Sequence, residues 1–220
     1  MSDSSFYKSI GYKVLMALSG FFLMFFLVQH LTINMLSVFS EDLFNEVSHF
    51  MGTNPLVQFL LQPILIFAVV FHFIMGMFLE YRNNKARDVS YAYNKPNTNS
   101  NWMSRNMIIS GLTVLAFLVL HFIDFWIPEM NYKYVEFLPE DPNRYFEELV
   151  HKFESPFKTA IYSFSFIFLA LHLLHGFSSS FKTVGVDSKY YNLIQKGTFL
   201  FSVLIPAGFI FIAIFHNLSA

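Results

Sequence analysis

A histidine sits inside each of four apolar stretches long enough to cross a lipid bilayer, and no other feature constrains this chain as much. Spanning takes roughly 20 apolar residues. The stretches at 12–38, 56–81, 103–127, 156–181 and 196–218 all qualify, and the first four hold His30, His72, His121 and His172 in turn. An imidazole in the hydrocarbon region is costly to bury and marks a functional site by default. The chain is 55% hydrophobic and 13% charged, with mean hydropathy +0.47. Soluble domains carry about 25% charged residues, so the reading is an all-α integral membrane protein of five transmembrane helices. It is a single domain, 1–220, with no internal repeat evident.

Composition also excludes several chemistries. A net charge of -1 rules out a globally basic nucleic-acid binder. The absence of cysteine removes disulfides, thiolate metal sites, iron–sulfur clusters held by this chain and Cys-attached haem. Any metal must be held by histidine or carboxylate. The first apolar run lacks a small-residue cleavage site after it and reads as a retained helix. Pro63 and Pro206 fall within spans, and a kink is expected at each.

Orientation follows from the basic residues of the short connections. Of the 14 Lys and Arg, the amino terminus, the second loop (Arg82, Lys85, Arg87, Lys95, Arg105) and the fourth (Lys182, Lys189, Lys196) take ten. The other side holds Lys133, Arg144, Lys152 and Lys158. The amino terminus is therefore expected in the cytoplasm and the carboxyl terminus outside. The external third loop, IPEMNYKYVEFLPEDPNRYFEELVHKFES, is acidic, with a short amphipathic helix expected at 143–153.

This topology sets the depth of each histidine. His30 and His121 lie late in outward-running spans; His72 and His172 lie late in inward-running ones. Two levels result, separated by on the order of 10–15 Å at 1.5 Å per residue. One pair in each leaflet is the arrangement needed for two six-coordinate haems stacked across the bilayer. Each iron would take an imidazole from each of two facing helices, which suits electron transfer rather than oxygen chemistry. Each histidine alone reads equally well as an isolated polar residue or part of a proton path; four at matched depths favour haem.

Neighbouring residues extend the candidate site. Gly76 and Gly176 each follow a histidine by four positions, on the same helical face, leaving room for a flat macrocycle. Gly20 and Gly111 are further candidates for that role. His175 lies one turn from His172, and the HxxxG spacing shared with the second span selects His172 as ligand. His175 is then expected to hydrogen-bond a propionate or a neighbouring helix. Arg82 and Lys182 are the best-placed cations for propionates, and serve equally as ordinary flanking charge. Ser178, Ser179 and Ser180 are weaker candidates. His49, His151 and His216 are expected in surface or interfacial positions.

Taken in order, FFLMFFLVQHLTINML, FNEVSHFM, FHFIMGMF, LHFIDFW and ALHLLHGFSSSFKTVG resemble the single-polypeptide, five-helix, di-haem cytochrome b anchor of succinate dehydrogenase and fumarate reductase complexes. The resemblance covers essentially the whole chain. It implies two haem b groups, with spans one to four forming the haem-binding bundle. His72 and His172 match the ligands nearer the cytoplasmic subunits, and His30 and His121 the distal ones. It implies two partners, a flavoprotein with covalent FAD and an iron–sulfur protein docking on the cytoplasmic face. It also implies the bacterial inner membrane and exchange of electrons with a quinone, menaquinone in the low-potential kind, as in respiratory complex II of the tricarboxylic acid cycle. Near the distal haem the sequence offers Gln29, Glu46, His49, Gln58 and Gln62, with Glu46 or His49 able to carry protons. Each of these reads equally as a loop-capping polar residue.

Two rivals stand beside this reading. One is a di-haem anchor for a formate-, hydrogen- or nitrate-linked dehydrogenase; the other is a non-haem transporter with a histidine proton relay. The direction of catalysis, the haem potentials and any dimerisation of the complex are not written in the sequence.

Overall fold

The computed structural model describes residues 3–85 and 107–219, the side chains of 3–9, 84 and 187–189 aside. Every regular element among them is helical. α1 (Asp3–Phe39) is followed by α2 (Glu41–Thr53), a π-helical turn (Val57–Leu61) and α3 (Gln62–Lys85). Then come α4 (Met107–His121), a second π turn (Phe122–Trp126), α5 (Ile127–Tyr134), α6 (Arg144–Phe153), α7 (Pro156–Thr183) and α8 (Asp187–Ser219). Five stretches are long and apolar enough to cross a membrane: Ile10–Phe39, Val57–Asn83, Met107–Tyr134, Pro156–Thr183 and Tyr190–Ser219. Arg87, Lys95, Met103 and Arg105 lie outside the described residues.

The distribution of polarity is that of a protein solvated by lipid. Large aromatic residues face outward, with Phe25 71% and Phe67 69% exposed, while Ser202 is fully buried and Asn45 and Ser37 nearly so. In water this arrangement would be unfavourable. In a bilayer, small and polar residues serve as close-packing and hydrogen-bonding contacts between helices. The packed core lies chiefly between α7 and α8, through Phe166, Leu169, Phe209 and Ala213, with Met24 of α1 against them.

Both π turns have one cause. Pro63 and Pro128 lack the N–H that would reach four residues back. Immediately before each proline the ladder widens by one residue: Gln62 N–H donates to Val57 O and Ile127 N–H to Phe122 O. The chain thus stays helical through Pro63, and from Ile127 onward, where the sequence suggests a loop. α8 also stays helical through Pro206, and its one non-helical residue is Tyr190.

The connections are more ordered than their polarity suggests. The first loop is mostly the helix α2, started by Ser40, whose hydroxyl accepts from Leu43 N, with Glu41 and Asp42 complementing the helix dipole. The expected amphipathic helix is α6, held at both ends from elsewhere in the chain. Asn45 of α2 accepts from Phe146 N–H at 2.8 Å, and Asn217 of α8 donates to Phe153 O at 2.7 Å. Those bonds satisfy termini that would otherwise be left open. Ser155 and Pro156 start α7, a cap followed by the proline favoured in the first turn.

α1 and α8 cross closely at Gly208, where a Cβ would lie 2.9 Å from both terminal carbons of Leu31. Gly208→Leu is expected to destabilise the bundle by about 1–3 kcal/mol, the usual cost of overpacking. It should lower the melting temperature in detergent, and Leu31→Ala in the same chain should recover part of the loss.

Candidate functional site

The four bundle histidines meet as two pairs. α1 brings His30 against His121 at the end of α4, ring centroids 5.8 Å apart and planes at 84°. α3 brings His72 against His172 of α7, at 6.3 Å and 70°. The pairing is the one expected from depth. Each pair joins two different helices, and α1 and α4 share one level while α3 and α7 share the other.

Each pair is an edge-to-face contact within the range of ordinary ring packing, and neither contains a His–His hydrogen bond among the described residues. No cluster of three or more His, Asp or Glu among them suits a metal. Each level brings two imidazoles together.

The surroundings of the two pairs differ. His30 stacks on Phe26 and leans on Phe209, and His121 packs between Phe117, Phe125 and Tyr162. His121 Nδ1 is buried with no partner among the described residues. His30 Nδ1 lies 3.4 Å from the Asn34 side-chain amide, which donates to His30 O at 2.8 Å. At the other level, His72 Nδ1 meets the Ser19 hydroxyl at 2.9 Å and His172 Nδ1 meets that of Ser110 at 3.4 Å.

The glycines nearest the rings are not the HxxxG pair. A Cβ at Gly20 would lie 3.6 Å from His72 Cε1, and one at Gly111 3.8 Å from His172 Cε1. Gly76 and Gly176 instead face Met16 and Met107. The glycine that clears an imidazole therefore comes from the facing helix, not from the histidine's own.

His175 is half-buried, with no hydrogen-bond or ring partner among the described residues. Arg82 lies over the rings of Tyr12 and Phe78, 5.6 Å from each centroid. Lys182 opens onto a cleft of ≈ 410 Å³ that it shares with Ile10, Lys13, Ser179 and Thr183. These three lie toward the His72–His172 end of the bundle.

At the other end, His49 faces Tyr145 and its Nδ1 is buried with no partner among the described residues, while Glu46 is exposed on α2. Beside them Glu129 bridges Lys133 and Arg144, and Gly52 O accepts from both Gln58 and Lys133. Burial lowers the Arg144 pKa, but the hydrogen bonds and charges of Glu129 and Glu148 outweigh it and hold it above its ordinary value. Burial, then Glu129, push the Tyr145 phenol up to about 12. Both groups keep their neutral-pH forms, and the cluster fastens α2, α5 and α6 together.

Two features are not evident from the sequence. His216, expected at a surface, is 1% exposed, with its Nε2 2.8 Å from the Ser37 hydroxyl. Asp124, inside the second π turn, is 6% exposed and takes bonds of 2.7 Å from both Lys158 Nζ and the Tyr162 hydroxyl. The Asp124 signal was available: an acid three residues after a membrane histidine needs a partner, and Lys158 opens the next span. No protein-family model matches the chain, and comparison with curated proteins and with solved structures gives no match either.

Proposed function

We propose that this chain is the di-haem, quinone-reactive membrane subunit of a succinate:quinone oxidoreductase, carrying electrons between an iron–sulfur partner and a membrane quinone. The observation that carries the proposal is the pairing of His30 with His121 and of His72 with His172, each across two facing helices at its own level of the bundle. The residues present fit the group. Each level offers two imidazoles from facing helices, and glycine backbone stands beside the rings of one level. Haem b bound at each level would supply reversible one-electron transfer.

The protein's own part is to hold, insulate and orient. His30 with His121 and His72 with His172 would each hold one haem, for electron transfer rather than oxygen chemistry. The aromatic packing of Phe26, Phe117, Phe125 and Phe209 keeps water from the His30–His121 level. Lys182, Lys13 and Arg82 supply positive charge for propionates at the other. Under this reading the amino terminus is cytoplasmic and the membrane is the bacterial inner membrane. The flavoprotein and iron–sulfur subunits dock at the His72–His172 end, and menaquinone binds near His49, Glu46 and Gln58. The dicarboxylate chemistry belongs to the flavoprotein.

The test is a reduced-minus-oxidised optical spectrum and pyridine haemochrome of the chain purified with its native partners. Two b-type haems per chain, with covalent flavin in a co-purifying subunit, are expected. A colourless, folded protein would sink the proposal. Two haems with a different dehydrogenase attached would keep the electron-transfer role and reassign the complex.

A further inference from the structure

The hydrogen bonds at the His72–His172 level determine more than position. A serine hydroxyl has one proton. Ser19 Oγ donates it to Met16 O at 2.8 Å, and Ser110 Oγ donates its own to Met107 O at 2.9 Å. In the contacts with His72 Nδ1 and His172 Nδ1 each hydroxyl must therefore accept. The imidazole N–H is thereby assigned to Nδ1 in both rings, and in a neutral imidazole Nε2 then carries the lone pair.

A sequence pattern accompanies this geometry. Ser19-Gly20 precedes His30 by the same interval at which Ser110-Gly111 precedes His121, so α1 and α4 both read Ser-Gly, nine residues, His. Eleven residues make about three helical turns and about 16 Å of rise. Serine and histidine thus share one face at two heights. Each of these helices gives a histidine to one level and a Ser-Gly step to the other. The serine meets Nδ1, and the glycine lies against the adjoining Cε1.

We propose that Ser19 and Ser110 are positioning residues for His72 and His172, fixing the Nδ1–H tautomer and holding Nε2 free to ligate. This rests on the histidines being axial ligands. An acceptor on the remote N–H orients the ring and makes the imidazole a stronger donor. A stronger donor stabilises the oxidised iron, so removing the acceptor raises that centre's potential. The His30–His121 level has no hydroxyl acceptor among the described residues and is not affected.

The experiment is an optical redox titration of the intact complex carrying Ser19→Ala, Ser110→Ala, Ser19→Thr or Ser110→Thr. Each alanine variant should shift one haem wave to higher potential, the wave that disappears in His72→Ala, and leave the other in place. Ser19→Ala should shift it further, because its bond is the shorter, and the threonine variants should restore the native value. Two haems with neither wave moved, or a shift in the wave lost in His30→Ala, would overturn this proposal and leave the proposed function standing. A colourless native complex would overturn both. The serines lie on different helices, so if one variant fails to assemble the other remains an independent test.

Discussion

His72→Ala and His172→Ala are each expected to abolish one and the same haem signal, and His30→Ala and His121→Ala the other. Each single substitution should remove about half of the b-type absorbance and leave the second component intact. The reason is that each level pairs one imidazole from each of two helices, and no group of three or more His, Asp or Glu among the described residues could hold a metal in their place. Losing a group that merely hydrogen-bonds a metal ligand costs 10–100-fold in affinity, and losing a ligand outright costs at least that. His175→Ala should keep both signals, because His175 faces no second ring among the described residues. Loss paired across levels, such as His30 with His72, would refute the assignment. So would a haem retained in His172→Ala and lost in His175→Ala. Absorbance per chain, measured alongside far-UV dichroism, separates ligand loss from unfolding.

The second large effect lies in the polar triad beside His121. Asp124 accepts from Lys158 and Tyr162, and α7 supplies both donors one turn apart. Removing one member of a buried ion pair typically costs 3–5 kcal/mol, because the other charge is left uncompensated. The two members differ in their alternatives. Lys158 retains 31% side-chain exposure and can turn away, whereas Asp124 retains 8%. Lys158→Met is therefore expected to cost more, about 3 kcal/mol, than Asp124→Asn, which keeps an oxygen for Tyr162. The double variant should be more stable than the sum of the two single losses predicts. Thermal denaturation in detergent measures all three, and strict additivity would show that the pair does not act as a unit.

Much of the architecture is legible in the sequence because membrane depth is a one-dimensional quantity. Apolar length identifies a span, and a fixed rise per residue converts position into height. That is enough to put His30 level with His121 and His72 level with His172. The polar connections were harder to read. α2 and α5 form because capping, the dipole and tertiary partners outweigh a weak apolar pattern, and the two π turns arise from prolines that normally signal a break. The ends of α6 depend on Asn45 and Asn217, which are remote in sequence and uninformative locally.

What the sequence by itself determined is therefore membrane class, the number of spans and the level of the four paired histidines. What only the tertiary structure decided is azimuth, the side of each helix that meets another. Gly20 and Gly111, rather than Gly76 and Gly176, stand against the rings; His216 is buried against Ser37; Ser19 and Ser110 meet the Nδ1 atoms of His72 and His172. Height follows from counting along one chain segment. Facing depends on how several helices pack together, and no single segment carries that information.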